Sequence, residues 1–217
     1  GVRMPAHIVD VKHAIAWTRE HAGDYGGDPR FIVITGGSAG GHLVALAALT
    51  GNQPQLQPGF EGADTSVQVV VPFYGKYDLL GEYQPDPAFA DFMAKNLMPG
   101  SRRAHDALWR AMHPTSHLNS IDAQRAPPFL VLHGTHDQLI PLAEARWFAG
   151  ELRRRYAGEV VYVELPYAHH AWDLSHSLRA DLTVEALQHY LELQYARWCR
   201  RHGFEPTPAL VRAQSTQ

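Results

Sequence analysis

The stretch FIVITGGSAGGHLVALAALT joins two apolar segments through a run of glycines that contains one serine. The first segment, 31–35, is short and rich in β-branched and aromatic residues, which is typical of a strand buried on both faces. The second segment, 39–50, consists of good helix formers and is followed by Gly51, a frequent helix stop. We therefore predict that Ser38 lies on the turn between a strand and a helix. Such a unit restricts the chain to an α/β architecture.

The G-x-S-x-G spacing around Ser38 is typical of a nucleophile elbow, a tight turn that exposes a serine hydroxyl. We expect Gly36 and Gly40 to provide the clearance for this turn. The helix that follows presents free backbone N–H groups and the positive end of its dipole, so the N–H of Ala39 is a predicted oxyanion donor. A glycine-rich phosphate loop or a plain packed turn would use similar glycines. The motif therefore needs partners elsewhere in the chain.

Strands and helices alternate along most of the chain. This alternation predicts a mostly parallel sheet flanked by helices, that is, an α/β fold with right-handed crossovers. One connection is too long for an ordinary loop, and we interpret its segment 79–122 as a helical, lid-like insertion. The predicted strands after the elbow are 67–73, 128–134 and 160–165, and the predicted helices include a first one around 8–18, then 142–156 and 177–202.

Length and charge limit the classes of protein that fit. With 217 residues and a net charge of −3, we expect one α/β domain over 1–203, a loose tail over 204–217 and no nucleic-acid partner. Cys199 is the only cysteine, which excludes an intrachain disulfide and favours a buried thiol. No membrane-spanning stretch or leader is seen, so we expect a soluble, cytoplasmic chain. The sequence does not indicate an oligomeric state.

Partners for Ser38 are expected where other parallel strands end, because such sheets collect their chemistry at the carboxyl ends of strands. Asp137 follows one predicted strand, in LHGTHDQLIP, and His169 and His170 follow the last one, in ELPYAHHAWDL. An imidazole can take the proton of a serine hydroxyl, and a buried carboxylate can orient that imidazole. The order Ser, Asp, His is that of the nucleophile-elbow hydrolases. From the residues alone, either histidine fits.

Several other side chains have more than one interpretation. His133 and His136 could join His169 and His170 in a metal cluster, but the set lacks a defined tetrahedral arrangement, and we predict no metal and no cofactor. We expect His42 to be packed or hydrogen-bonded. One group of residues follows the second strand, and we interpret it as pocket wall or as loop caps. A second group consists of aromatic and methionine residues of the insertion, and we interpret it as acyl-pocket lining or as plain packing. These two groups are Tyr74, Tyr77 and Asp78, and Phe89, Phe92, Trp109 and Met112.

The chain resembles serine carboxylesterases of the α/β-hydrolase superfamily, in the hormone-sensitive-lipase-like and feruloyl-esterase-like branch of actinobacterial type. The resemblance spans most of residues 6–173. It implies a small-molecule ester substrate, Ser38 as nucleophile and Asp137 as the orienting acid. In this pattern the base precedes a small residue, an aromatic residue and an aspartate, which selects His170. The matching stretches are HIVDVKHAIAWTREHAGDYGGDPRFIVITGGSAGGHLVALAALT, VPFYGKYDL, APPFLVLHGTHDQLIP and VVYVELPYAHHAWDL.

The sequence departs from that pattern at its start. Members carry upstream strands and an HGGG-type loop that supplies further oxyanion donors, whereas this chain begins with Gly1 and enters a helix almost at once. We therefore expect an N-terminally truncated fold with the elbow strand at an uncovered sheet edge, and a weak or inactive esterase when this chain stands alone. Two alternatives stay open. One is a prolyl-oligopeptidase-like serine peptidase, and the other is a catalytically incompetent fragment that acts only in binding or assembly.

Overall fold

A computed structural model describes residues 1–122 and 125–206. Four parallel strands form one sheet in the order β1, β2, β3, β4, with helices on both faces. A loose tail was predicted over 204–217, and its residues from 207 onward lie outside the described part of the chain. The strands are β1 (Val33–Gly37), β2 (Val69–Phe73), β3 (Phe129–Gly134) and β4 (Val160–Leu165). The helices are α1 (Ala6–His21), α2 (Ala39–Leu49), α3 (Pro87–Asn96), α4 (Asp106–Ala111), α5 (Leu142–Arg155) and α6 (Leu178–His202).

The two central strands send alternate side chains to two different hydrophobic layers, because successive residues of a strand point to opposite faces. Val70 and Val131 belong to the larger core, which also contains buried side chains of α1, α2 and α5. Val69 and Leu130 face the other way and pack with residues of α6. The result is a three-layer α/β/α arrangement, and the predicted fold class is confirmed.

The elbow strand differs from its prediction in extent and in burial. β1 continues through both glycines, because Gly36 and Gly37 pair with Pro72 and Phe73 of β2. The turn therefore begins at Ser38. We predicted strands buried on both faces, and this holds for β2 and β3, whereas β1 and β4 are only partly buried. The reason is their position, since β1 and β4 are the two edges of the described sheet.

The segment 79–122 contains helices α3 and α4 and packs onto the larger core. Met93, Met98, Trp109 and Met112 are all buried there. Cys199 on α6 is buried as well, as its sequence context indicates. No helix within residues 1–122 and 125–206 is long and apolar enough to cross a membrane.

Candidate active site

The serine of the elbow has a strained backbone. Ser38 adopts φ 57° and ψ −119°, a conformation that non-glycine residues rarely hold unless their surroundings enforce it. A Cβ at Gly36 would lie 2.7 Å from the carbonyl oxygen of Gly40, and one at Gly41 would lie 2.8 Å from that of Phe73. A Cβ at Gly40 would meet nothing within 4 Å. The prediction that Gly40 gives clearance is therefore wrong, since the close approaches occur at Gly36 and Gly41.

Three sequence-predicted side chains form one chain of hydrogen bonds at the carboxyl end of the sheet. Nδ1 of His170 lies 2.8 Å from Oδ2 of Asp137, and its Nε2 lies 2.9 Å from Oγ of Ser38. The carboxylate can only accept, so Nδ1 carries the proton and Nε2 presents a lone pair. The Ser38 hydroxyl donates to that lone pair. The arrangement can remove the hydroxyl proton as the oxygen attacks an electrophile.

The carboxylate of Asp137 is held by several donors. Its side chain is 0% exposed, and its Oδ1 accepts hydrogen bonds from the backbone N–H groups of Leu139 and Ile140, both at 2.9 Å. These bonds satisfy one oxygen and leave Oδ2 to His170. The two backbone donors stabilise the ionised carboxylate, which can then stabilise a positive charge on the imidazole.

A second imidazole lies close to the same carboxylate. Nε2 of His133 is 3.0 Å from the carbonyl oxygen of Ile140 and 3.5 Å from Oδ2 of Asp137. Burial lowers the pKa of His133, so this ring is neutral at neutral pH. It therefore adds an N–H near Asp137 without adding a charge.

A cavity of about 820 Å³ opens beside Ser38. Ala39, the first residue of α2, lies in its wall, where backbone N–H groups have no acceptor within the helix. Phe89, Phe92 and Met93 of α3 also line the cavity, with apolar side chains. By contrast, Trp109 and Met112 are 0% exposed and belong to the core. Of the four insertion residues, Phe89 and Phe92 therefore line the cavity, whereas Trp109 and Met112 pack in the core.

The other predicted residues have structural partners. Nδ1 of the buried His42 lies 3.0 Å from the carbonyl oxygen of Lys76. The carboxylate of Asp78 accepts hydrogen bonds from three successive backbone N–H groups, those of residues 82–84, and so caps that loop. Tyr77 stacks on Phe148 with 3.9 Å between ring centroids.

The histidines that could suggest a metal cluster face different partners. Nδ1 of His169 donates to the backbone oxygen of His136, and the two rings are 6.1 Å apart. Over the described ranges, 1–122 and 125–206, no group of three or more His, Cys, Asp or Glu side chains could hold a metal ion.

Sequence reasoning missed an ion pair at the cavity wall, between a buried carboxylate and a partly buried lysine. Glu144 accepts hydrogen bonds from the backbone N–H groups of Tyr77 and Asp78, and it pairs with the ammonium group of Lys76 at 2.5 Å. The pair joins α5 to the loop after β2. A glutamate in the first turn of a helix is an ordinary surface pattern, so no local signal indicates this burial.

Comparison with known proteins places these features in context. Residues 2–152 match the BD-FAE family. The chain is 49% identical to esterase LipQ of Mycobacterium tuberculosis over 89% of its own length and 45% of that protein. It is 46% identical to the probable carboxylic ester hydrolase LipM of the same organism, over 95% of this chain and 47% of that protein. The chain therefore spans about half the length of these curated relatives.

Solved structures agree with the fold. The butyrate-bound esterase Est2 of the planctomycete Thermogutta terrifontis superposes with a TM-score of 0.66 at 27% identity, covering 94% of this chain and 68% of that one. A truncated carbohydrate esterase from gut microbiota reaches a TM-score of 0.68 at 23% identity, over 88% and 69% of the two chains, and supports the fold alone.

Proposed function

The chain belongs to the BD-FAE family, whose fold and relatives are those of α/β-hydrolase esterases, and we propose that it hydrolyses carboxylic esters through a serine acyl-enzyme. One observation carries the proposal. Ser38, His170 and Asp137 are joined by hydrogen bonds of 2.9 and 2.8 Å beside a largely apolar cavity. The names of the relatives LipQ and LipM support ester hydrolysis as the reaction.

In the first half-reaction, Oγ of Ser38 attacks the ester carbonyl carbon while Nε2 of His170 takes the hydroxyl proton. Asp137 stabilises the imidazolium that forms. The carbonyl oxygen becomes an oxyanion, towards which the N–H of Ala39 donates with the dipole of α2 behind it. The intermediate collapses when His170 returns the proton to the leaving alkoxide. The alcohol departs, and the acyl group stays on Ser38.

In the second half-reaction, water replaces the alcohol. His170 removes one proton from the water as its oxygen attacks the acyl carbon, and then protonates Oγ of Ser38 as the acyl bond breaks. The products are a carboxylic acid and the free serine. No cofactor or metal takes part in these steps.

The cavity favours a small-molecule ester with an apolar group. Leu43 of α2 and Phe89, Phe92 and Leu97 of the insertion line its wall, and burial of apolar surface against such side chains favours binding. We therefore assign to the segment 79–122 the role of a lid-like insertion that shapes the substrate pocket. The α/β domain over 1–203 carries the chemistry.

The test compares ester and peptide substrates on the same preparation. We expect slow but measurable hydrolysis of p-nitrophenyl butyrate by the wild-type chain, because part of the oxyanion hole is missing, its loss in Ser38→Ala, and still less turnover of a peptide p-nitroanilide. The matched control is Ser116→Ala, which removes an exposed hydroxyl of the insertion and should retain activity. A fluorophosphonate probe should modify Ser38, as mapped by mass spectrometry.

Three outcomes would contradict the proposal. Preferred cleavage of the peptide would favour the peptidase alternative. A folded wild-type chain without turnover or labelling would favour a binding or assembly role. An adduct on any serine other than Ser38 would refute the assignment of the nucleophile.

A further inference from the structure

A buried tyrosine with a strained backbone follows β2, beside the hydrogen-bonded chain of the candidate site. Tyr74 has φ 36° and is only 3% exposed. For a bulky residue this backbone region is unfavourable, and neighbouring contacts must offset its cost. Its backbone N–H donates to the carbonyl oxygen of Leu132 at 2.8 Å, which fixes the residue to β3. The strained backbone therefore belongs to a residue that is held firmly in place.

The ring of Tyr74 packs against the imidazole of His170. The ring centroids are 4.7 Å apart and the planes are inclined by 60°, an edge-on contact. Hydrogen bonds to Asp137 and Ser38 hold the two nitrogens of His170. The contact with Tyr74 therefore restrains the remaining freedom of the ring, its tilt about the line that joins those two partners.

The hydroxyl of Tyr74 donates to Oδ1 of Asp173, a residue 99 positions away in the sequence. Asp173 lies on the same loop as His170, three residues further along. Burial, and then the bond to Asp173, raise the pKa of the Tyr74 hydroxyl, so it stays protonated and donates at neutral pH. The loop that carries His170 is thereby tied to the end of β2.

The residue before the serine leaves room for this ring. A Cβ at Gly37 would lie 2.6 Å from the hydroxyl oxygen of Tyr74 and 2.9 Å from two of its ring carbons. Only glycine leaves the ring where it lies, since a buried aromatic ring has little freedom to move away. The position of the Tyr74 ring therefore requires a glycine at position 37 of the elbow.

We propose that Tyr74 and Asp173 form a positioning pair for His170. The ring of Tyr74 limits the tilt of the imidazole, and the hydroxyl bond to Asp173 holds the loop of His170 at the correct distance from Ser38. This proposal rests on the proposed function for its kinetic effect, although the geometry of the pair can be tested independently. Neither residue exchanges a proton with substrate.

The loop has a second anchor, which makes the proposal testable in folded protein. Trp172 is buried and packs against Phe73, with 5.8 Å between ring centroids. This apolar contact remains when the hydroxyl of Tyr74 is removed. We therefore expect Tyr74→Phe to fold and to keep its ring against His170 while losing the bond to Asp173.

The kinetic test uses four variants. We expect Tyr74→Phe and Asp173→Ala each to lower kcat for p-nitrophenyl butyrate by about 10- to 100-fold, with KM changed less than about threefold, because a misplaced base slows chemistry more than binding. Asp173→Asn keeps an acceptor oxygen and should restore most of kcat. The double variant Tyr74→Phe/Asp173→Ala should lose little more than either single variant, because both remove one hydrogen bond.

The matched control is Tyr156→Phe. The Tyr156 hydroxyl is also buried and donates to the carbonyl oxygen of Pro127 at 2.7 Å, but it packs against Phe129, the first residue of β3, at the opposite end of the sheet from the site. We expect this variant to lower the melting temperature as much as Tyr74→Phe without lowering kcat. Equal kcat in the two phenylalanine variants would overturn the proposal.

A spectroscopic measurement separates this proposal from the proposed function. The Nδ1 proton of His170 should give a downfield resonance in the proton NMR spectrum of the wild-type chain, which disappears in His170→Ala. We expect it to broaden in Tyr74→Phe and to stay sharp in Tyr156→Phe. This result supports the positioning pair even if the chain hydrolyses no ester. An unchanged resonance in Tyr74→Phe overturns it, whatever the activity.

Discussion

At the residue scale, two adjacent histidines have unequal surroundings. His170 is bound at both nitrogens, to Asp137 and Ser38, and its side chain is 17% exposed. His169 is exposed and binds only the backbone oxygen of His136 among the described residues. The backbone turns sharply on both sides of the pair, at Tyr167 and at Ala171, which each have φ 57°. Of the two adjacent histidines, only His170 is therefore placed to exchange a proton with Ser38.

This difference predicts unequal effects on turnover. We expect His170→Ala to lower kcat by roughly four orders of magnitude or more, because loss of the base leaves only oxyanion and binding contributions. His169→Ala should change kcat by less than about fivefold. Steady-state hydrolysis of p-nitrophenyl butyrate measures both values, and thermal unfolding shows that each variant is folded. Comparable losses, or a larger loss at His169, would show that His170 is not the base.

At the scale of elements, α5 is joined to the loop after β2 by one carboxylate. Glu144 is only 2% exposed, and its two oxygens serve two backbone N–H groups and Lys76. Lys76 also lies 4.6 Å from the centroid of the Phe89 ring, so the contact extends to α3. Three elements around the cavity therefore depend on this side chain.

Removal of this carboxylate should be costly. We expect Glu144→Ala to lower the free energy of unfolding by about 3–5 kcal/mol, since it leaves a partly buried ammonium group and two buried backbone donors without their acceptor. Glu151→Ala on the same helix removes a carboxylate that pairs with Arg154 and Arg155 at the surface, and should cost less than about 1 kcal/mol. Urea unfolding measures both values. Equal losses would contradict a structural role specific to Glu144.

At the scale of the whole molecule, buried imidazoles make stability depend on pH. Burial lowers the pKa of His42 from 6.5 to about 4, and it also lowers the pKa values of His113, His117 and His133. In the unfolded chain these groups take up protons near their ordinary pKa of 6.5. The unfolded state therefore binds more protons below that pH. The contribution of these neutral histidines to folding stability is fully present above pH 6.5, and it is lost as the pH falls towards 4.

His42 provides a test of this linkage. Between neutral pH and pH 4, wild type should lose about 3 kcal/mol more of its unfolding free energy than His42→Asn, which keeps a side-chain donor for Lys76 and cannot titrate. Denaturant titrations at a series of pH values measure the difference. The exposed variant His169→Asn should follow wild type. Parallel curves for wild type and His42→Asn would refute the contribution of His42.

The sequence alone determined the features that depend on local pattern. Alternating apolar segments and turn residues are read within a few positions, so the strands, the elbow at Ser38 and the loops that carry Asp137 and His170 could be predicted from them. Because all strands are parallel, their carboxyl ends lie at one edge of the sheet. The predicted residues meet there, and their catalytic roles stay predictions.

Only the tertiary structure decided features that depend on contacts distant in sequence. Partial burial of β1 and β4 follows from their places in the sheet, and the clearance at Gly36 rather than Gly40 follows from the path of the helix after the elbow. The bonds from Tyr74 to Asp173 and from Glu144 to the loop after β2 join residues separated by 99 and 67 positions. No local pattern specifies such pairs, because each side chain alone fits an exposed loop or helix equally well. Packing of the folded chain selects them.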